Sequence, residues 1–207
     1  MFFRNGSVNL LFFTQDYIIK NELEKKAKQY QYTIFDDEGK LLKLLNEQKD
    51  SIVIADYNSV SHNLNNWITS DTVPNKLIVL ESVPTLLTGR YLISHNIKAY
   101  GNIRMQQIHF DQMVETVRNG NIWTYPELTS YLATLDTQMI SKDAKPLLDR
   151  LTDKEKEVTI HILNGLTNEA IANKMDITVR TVKAHVTSIF TKLHVNDRIS
   201  LFLLLKS

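Results

Sequence analysis

Short apolar runs alternate with stretches of helical period through the first half of the chain. Leu10–Phe13 ends at Thr14-Gln15-Asp16, and Ile18, Ile19, Leu23 and Ala27 then recur with charges between them, which predicts a strand followed by a helix. Tyr32–Phe35, the turn Asp36-Asp37-Glu38-Gly39 and the leucines 41, 42, 44 and 45 repeat the pattern. Ile52-Val53-Ile54 predicts a third strand and Leu77–Leu80 a fourth; Leu86–Ile93 predicts a helix, Ile97–Tyr100 a fifth strand, and Phe110–Val117 a closing helix before Asn119-Gly120. All-apolar strands separated by amphipathic helices suit an α/β domain whose five-stranded parallel sheet is covered on both faces. Such sheets bind ligands or carry chemistry at the carboxyl ends of their strands, where Asp16, Asp56 and Glu81 fall.

The period changes after residue 146. Thr152-Asp153-Lys154-Glu155 is a capping box, its helix runs through Val158, Ile162 and Leu163, and Gly165 stops it. Thr167 caps a short helix, Met175-Asp176-Ile177 turns the chain, and Thr178 caps a longer helix. In that helix Val179, Val182, Val186, Ile189, Phe190 and Leu193 form one apolar stripe. The opposite face shows Arg180, Lys183, Ala184, Thr187 and Thr191. Two helices about a tight turn, the second with a small, polar and basic face, make a helix-turn-helix: small side chains admit the helix to a major groove, cations reach phosphates or guanine edges, and hydroxyls bond either. The last helix, Ile199–Leu205, is apolar round most of its circumference, as a buried helix or a partner interface requires.

The 207 residues carry 24 Lys+Arg against 23 Asp+Glu, so any basic surface is local. Gly165–Ser207 holds six cations (Lys174, Arg180, Lys183, Lys192, Arg198, Lys206) and three acids (Glu169, Asp176, Asp197), an excess of +3 where the reading helix lies. With no cysteine, thiolate metal sites, iron–sulfur clusters and a Cys nucleophile are excluded. The six histidines lack ligand spacing, so no metal and no cofactor is expected. No export signal is read in the first residues, and no run reaches the roughly 18 apolar residues of a membrane helix, which predicts a cytoplasmic protein without a membrane partner. No nucleophile–base pair is present to support an enzyme.

The strand order with Asp56 directly after strand three resembles the receiver domain of bacterial response regulators over about Val8–Asn119, and Gly120–Leu128 resembles the segment after the last receiver helix in the NarL/FixJ group. The resemblance implies an Asp phosphoacceptor, an acidic pair for Mg²⁺, a hydroxyl on strand four and a Lys after strand five. Asp56 takes the acceptor position, but Thr14 and Gln15 stand where the acids belong, with Asp16 one place late. Glu81 replaces the hydroxyl, which a slip of one residue would restore as Ser82; Ile103 stands at the Lys position with Arg104 beside it, and Tyr100 at the switch aromatic. A Glu beside Asp56 raises the cost of adding two negative charges there. The pocket is expected to be degenerate. On its own, Asp56 reads as a strand-end residue capping the next turn.

Leu151-Thr-Asp-Lys-Glu155, Gly165-Leu-Thr-Asn-Glu-Ala-Ile-Ala172, Thr181-Val-Lys-Ala-His-Val186, Lys192-Leu-His-Val195 and Asp197-Arg198 closely resemble the LuxR/FixJ-type DNA-binding domain over Leu147–Leu205. The resemblance places Lys183, Ala184 and Thr187 at bases and Thr167, Asn168, Thr178, Arg180, Thr181 and Lys192 at phosphates. It also implies a homodimer through the last helix, with Ile199, Phe202 and Leu203 as interface candidates. The expectation is therefore a receiver-like domain at 1–127, a linker at 128–146 and a helix-turn-helix domain at 147–207. The expected activity is transcription regulation without phosphorylation, with an inverted-repeat promoter in double-stranded DNA as partner and RNA polymerase or a histidine kinase as further candidates. The rivals are a regulator switched at Asp56 and a protein adaptor that leaves DNA alone.

Overall fold

The computed structural model describes residues 8–48, 50–134 and 145–206. The chain divides into two compact units, one drawn from residues 8–64 and 73–130 and the other from residues 65–72 and 131–206.

The first unit is α/β. Strands β1 (Asn9–Phe13), β2 (Gln31–Phe35), β3 (Ile52–Asp56), β4 (Leu77–Glu81) and β5 (Ala99–Asn102) alternate with helices α1 (Tyr17–Lys26), α2 (Glu38–Glu47), α3 (Tyr57–Thr69, of which residues 57–64 fall in this unit), α4 (Leu86–Ser94) and α5 (Gln107–Arg118). Every strand pairing is parallel and the order is β2-β1-β3-β4-β5-β6. The sheet thus has six strands rather than the five read from the sequence. The addition, β6 (Trp123–Thr124), pairs with Ala99 and Tyr100 and is too short to leave an apolar run. All five residues of β3 and of β4 are buried, as strands covered on both faces must be. On one face Leu10, Phe12, Ile52, Ile54, Ile78 and Leu80 pack with Leu23 of α1 and Phe110, Met113 and Val117 of α5.

Helix α3 is absent from the hydrophobic pattern because Asn58, Ser59, Ser61, His62 and Asn63 dilute its apolar face, and a non-helical Val60 (φ −124°) kinks its first turn. Helix α6 (Pro126–Thr134) runs through the start of the expected linker, and residues 135–144 of that linker lie outside the described residues.

The second unit follows the capping signals. After the short α7 (Lys145–Leu148) come α8 (Asp153–Leu163), α9 (Asn168–Met175), α10 (Val179–Leu193) and α11 (Arg198–Lys206). Both halves of the capping box form at α8: the Glu155 N–H donates to Thr152 Oγ1 at 3.3 Å and the Thr152 N–H to Glu155 Oε2 at 2.7 Å. Gly165 takes φ +80° just past the helix, letting the Leu166 N–H return to the His161 carbonyl at 3.1 Å.

Candidate nucleic-acid interface and the rim of the sheet

Helices α9 and α10 meet about a turn that starts at Asp176, whose left-handed backbone (φ 54°) ends α9. The hydroxyls of Thr167 and Thr178 accept from the N–H groups of Ala170 (3.2 Å) and Thr181 (3.1 Å), so both helices begin with satisfied donors. Val182, Ile189 and Leu193 of α10 are buried, while Val179, Val186 and Phe190 of the same stripe are half-buried. Arg180, Thr181, Lys183, Ala184, Thr187 and Thr191 are all exposed, and the first turn of α10 holds no acid. The Thr187 hydroxyl donates to the Lys183 carbonyl at 3.0 Å, which leaves its lone pairs outward.

Two expected phosphate contacts are engaged elsewhere. Asn168 is 8% exposed, and its Oδ1 accepts from Arg198 Nη2 at 3.3 Å while Arg198 Nη1 reaches the Leu166 carbonyl at 2.5 Å. The Arg198 guanidinium, fully buried, therefore ties the start of α11 to the turn before α9. Lys192 Nζ lies against both oxygens of Glu155, which is 4% exposed and also accepts from Ser188 Oγ at 2.6 Å. Burial would raise the Glu155 pKa, but the hydrogen bonds from Lys192, Ser188 and Thr152 prevail and hold it at about 2. Lys192 and Ser188 thus tie α10 to α8, and Asn168 ties the start of α9 to α11. Of the dimer candidates, Ile199 (1% exposed) and Phe202 (3%) are buried in the chain, and only Leu203 keeps partial exposure. The apolar girth of α11 is mostly used in burial, with Leu201 and Leu205 also covered.

At the carboxyl rim of the sheet, Asp56 is 1% exposed and both its carboxyl oxygens are engaged. Oδ2 accepts from Ser59 Oγ at 2.6 Å and Thr14 Oγ1 at 3.1 Å, and Oδ1 from the Asn58 N–H at 3.3 Å. Asp56 caps the turn into α3 through the Asn58 N–H. Gln15 is exposed, with its N–H on Ser59 Oγ at 3.1 Å. The Asp16 side chain caps α1, accepting from the N–H groups of Ile18 (2.7 Å) and Ile19 (3.3 Å) rather than joining Asp56. Ile103 is fully buried in the apolar core. Among the described residues no cluster of three or more His, Asp or Glu could hold a metal ion.

Glu81 faces the other way from the expected hydroxyl's role. Its Oε2 accepts from the hydroxyl of Tyr100, itself fully buried, and the Tyr100 oxygen accepts from the Thr85 N–H at 2.9 Å. Burial, with the charge of Asp56 adding to it and the Tyr100 hydrogen bond opposing, raises the Glu81 pKa above the usual carboxylate value. Burial and the neighbouring Glu81 push the Tyr100 phenol up as well. Ser82 is half-buried; its N–H goes to Asn58 Oδ1 at 3.3 Å and its carbonyl takes Asn102 Nδ2 at 3.4 Å. The sequence reading missed Ser59, whose partnership with Asp56 is an i,i+3 relation visible only once α3 is placed. It also missed Glu81–Tyr100, which depends on the register of β4 against β5.

An α/β unit with a parallel sheet followed by a helical unit with two helices about a tight turn is a fold shared with solved structures of RcsB. The structure of Salmonella enterica serovar Typhimurium RcsB, bound to a promoter in the presence of a phosphomimetic, matches 96% of this chain and 97% of its own at TM-score 0.52 and 17% identity. A structure of two RcsB dimers bound to two parallel DNAs matches 96% of this chain and 97% of its own at TM-score 0.50 and 19% identity. Residues 149–205 match the model of bacterial regulatory proteins of the luxR family. The response regulator protein VraR of Staphylococcus saprophyticus is 42% identical over 57 residues, which are 28% of this chain and 27% of that protein; VraR of Staphylococcus aureus strain Mu3 matches at the same level. The similarity to these curated relatives thus spans about a quarter of their length. No described helix is long and apolar enough to cross a membrane.

Proposed function

We propose that this chain is a sequence-specific DNA-binding transcription regulator that acts as a homodimer in the cytoplasm, without catalysis and without phosphorylation of its α/β unit. The observation that carries the reading is the outer face of α10, where Arg180, Thr181, Lys183, Ala184 and Thr187 are exposed together behind a capped N-terminus. A helix with that face enters a major groove: Lys183 and Thr187 address base edges, Ala184 leaves room, and Arg180, Thr181, Thr178 and Thr167 lie toward the phosphates. Two copies read the half-sites of an inverted repeat about one helical turn apart. The RcsB structures, with dimers on DNA, support this use of the fold. RNA polymerase or a histidine kinase are candidate further partners, and domains at 1–127 and 147–207 joined through 128–146 are the working division.

Phosphorylation independence is supported by the rim itself. Asp56 is buried and hydrogen-bonded on both oxygens, Thr14 occupies an acid's place, and Ile103 is core. The test is selection from random duplex DNA, followed by sedimentation of the full chain on the selected duplex with and without Mg²⁺ and acetyl phosphate. Two protomers on one duplex with no mass gained at Asp56 is the expected result. No enrichment of any duplex overturns the DNA reading, and a phosphate-dependent dimer overturns the independence.

A further inference from the structure

We infer that Glu81 is a positioning residue, a buried carboxyl that latches Tyr100 into the core and, through the Tyr100 hydroxyl, fixes the first turn of α4 to the rim of the sheet. The chain of contacts is continuous. The Glu81 carboxyl at the end of β4 takes the Tyr100 hydroxyl from β5; that hydroxyl oxygen takes the Thr85 N–H; and Thr85 is the residue that caps α4, accepting from the Thr88 N–H at 3.1 Å and pairing with the Thr88 hydroxyl at 2.8 Å. The receiving surface is cut to the ring: a Cβ on Gly89 of α4 would stand 2.8 Å from Tyr100 Cδ1 and 2.6 Å from Leu128 Cδ2. Among the described residues no Lys or Arg hydrogen-bonds Glu81, so its strongest bond is the one to Tyr100.

Glu81 is supplied by the chain itself, so the latch is closed without any bound or transferred group. The rim then keeps one arrangement of α4 under all phosphorylation conditions. The latch deepens the regulator reading and rests on it for that consequence alone; the contacts themselves are tested apart from DNA.

The test is amide hydrogen exchange of the full-length protein, read over residues 85–89 with α2 as internal control. Glu81→Leu and Tyr100→Phe each remove a hydrogen bond of the chain, and exchange at 85–89 rises about tenfold with α2 unchanged. Glu81→Gln keeps an acceptor for the hydroxyl and restores protection to near the native level. Native exchange at 85–89 in both Glu81→Leu and Tyr100→Phe overturns the latch, as does a Gln variant no better than Leu. Where the Leu or Phe variant loses protection in α2 as well, the Glu81→Gln variant decides: native exchange at 85–89 supports the latch, and exchange raised there with α2 unchanged overturns it. A protein that fails to bind DNA while keeping these exchange patterns sinks the regulator reading and leaves the latch standing.

Discussion

Lys192 Nζ sits 2.8 and 2.7 Å from the two oxygens of Glu155, so the last turns of α10 are pinned to the capping box that starts α8. One carboxylate serves two ends: it completes the cap of its own helix through the Thr152 N–H and sets the pitch of α10 through Lys192 and Ser188. The orientation of the exposed face follows from that buried carboxylate.

Glu155 makes stability acid-sensitive. A folded pKa of about 2 against an ordinary 4.5 means the ionised form is favoured by folding, so its contribution is complete above pH 4.5 and is lost as pH falls toward 2. Glu155→Gln keeps the shape but not the charge, and is expected to cost about 2–3 kcal/mol at neutral pH, below the full cost of breaking a buried pair because Lys192 is 37% exposed. Urea unfolding of both proteins between pH 7 and pH 3 checks this: the two stabilities converge toward acid, and parallel curves contradict it.

For the reading helix, Lys183→Ala is expected to weaken specific binding by about 1–3 kcal/mol and to relax preference at one base step. Arg180→Ala, at the proposed phosphate contact, is expected to weaken all sequences alike and to lower the salt dependence by about one counterion. Fluorescence anisotropy on a selected and a scrambled duplex at several salt concentrations separates the two. Equal losses on both duplexes for Lys183→Ala would remove it from base readout.

Much of this was legible in the sequence, and the reason is local. The stripe of α10, the capping box at Thr152 and the stop at Gly165 are set by residues within one or two turns, and each appears where its spacing placed it. Helix α3 was hidden because its side chains are largely Asn, Ser and His, and β6 because two residues carry no period. Asn168 and Lys192 have partners that were hidden for a different cause. Their exposure is decided by Arg198 and Glu155, residues 30 and 37 positions away, and no helical arithmetic reaches that far. Ile199 and Phe202 illustrate the same limit: an apolar helix reads alike whether a partner or its own chain covers it.

Asp56 is expected to matter for folding rather than chemistry. Asp56→Ala leaves the Ser59 and Thr14 hydroxyls without their shared acceptor and is expected to destabilise by about 1–3 kcal/mol. Asp56→Asn retains an acceptor oxygen and loses less. Thermal unfolding ranks the three proteins, and mass spectrometry shows no mass gained on acetyl phosphate treatment in either wild type or Asp56→Asn; an added phosphate in the wild type alone would make the residue an acceptor.

Glu81 has the opposite sign from Glu155. Its pKa is raised in the fold, first by burial and further by Asp56, so the ionised form is disfavoured relative to the unfolded chain. The penalty is absent below the ordinary carboxylate pKa and grows as pH rises from there through the folded pKa, beyond which it is constant. Glu81→Gln removes the titration while keeping an acceptor for Tyr100. Its stability therefore gains on wild type as pH climbs from 4 to 8, the reverse of the Glu155→Gln trend. Because the two carboxyls lie in separate units, the double variant should show both trends superposed, and a pH profile for Glu81→Gln that runs parallel to wild type would mean that Glu81 is solvated rather than held against Tyr100.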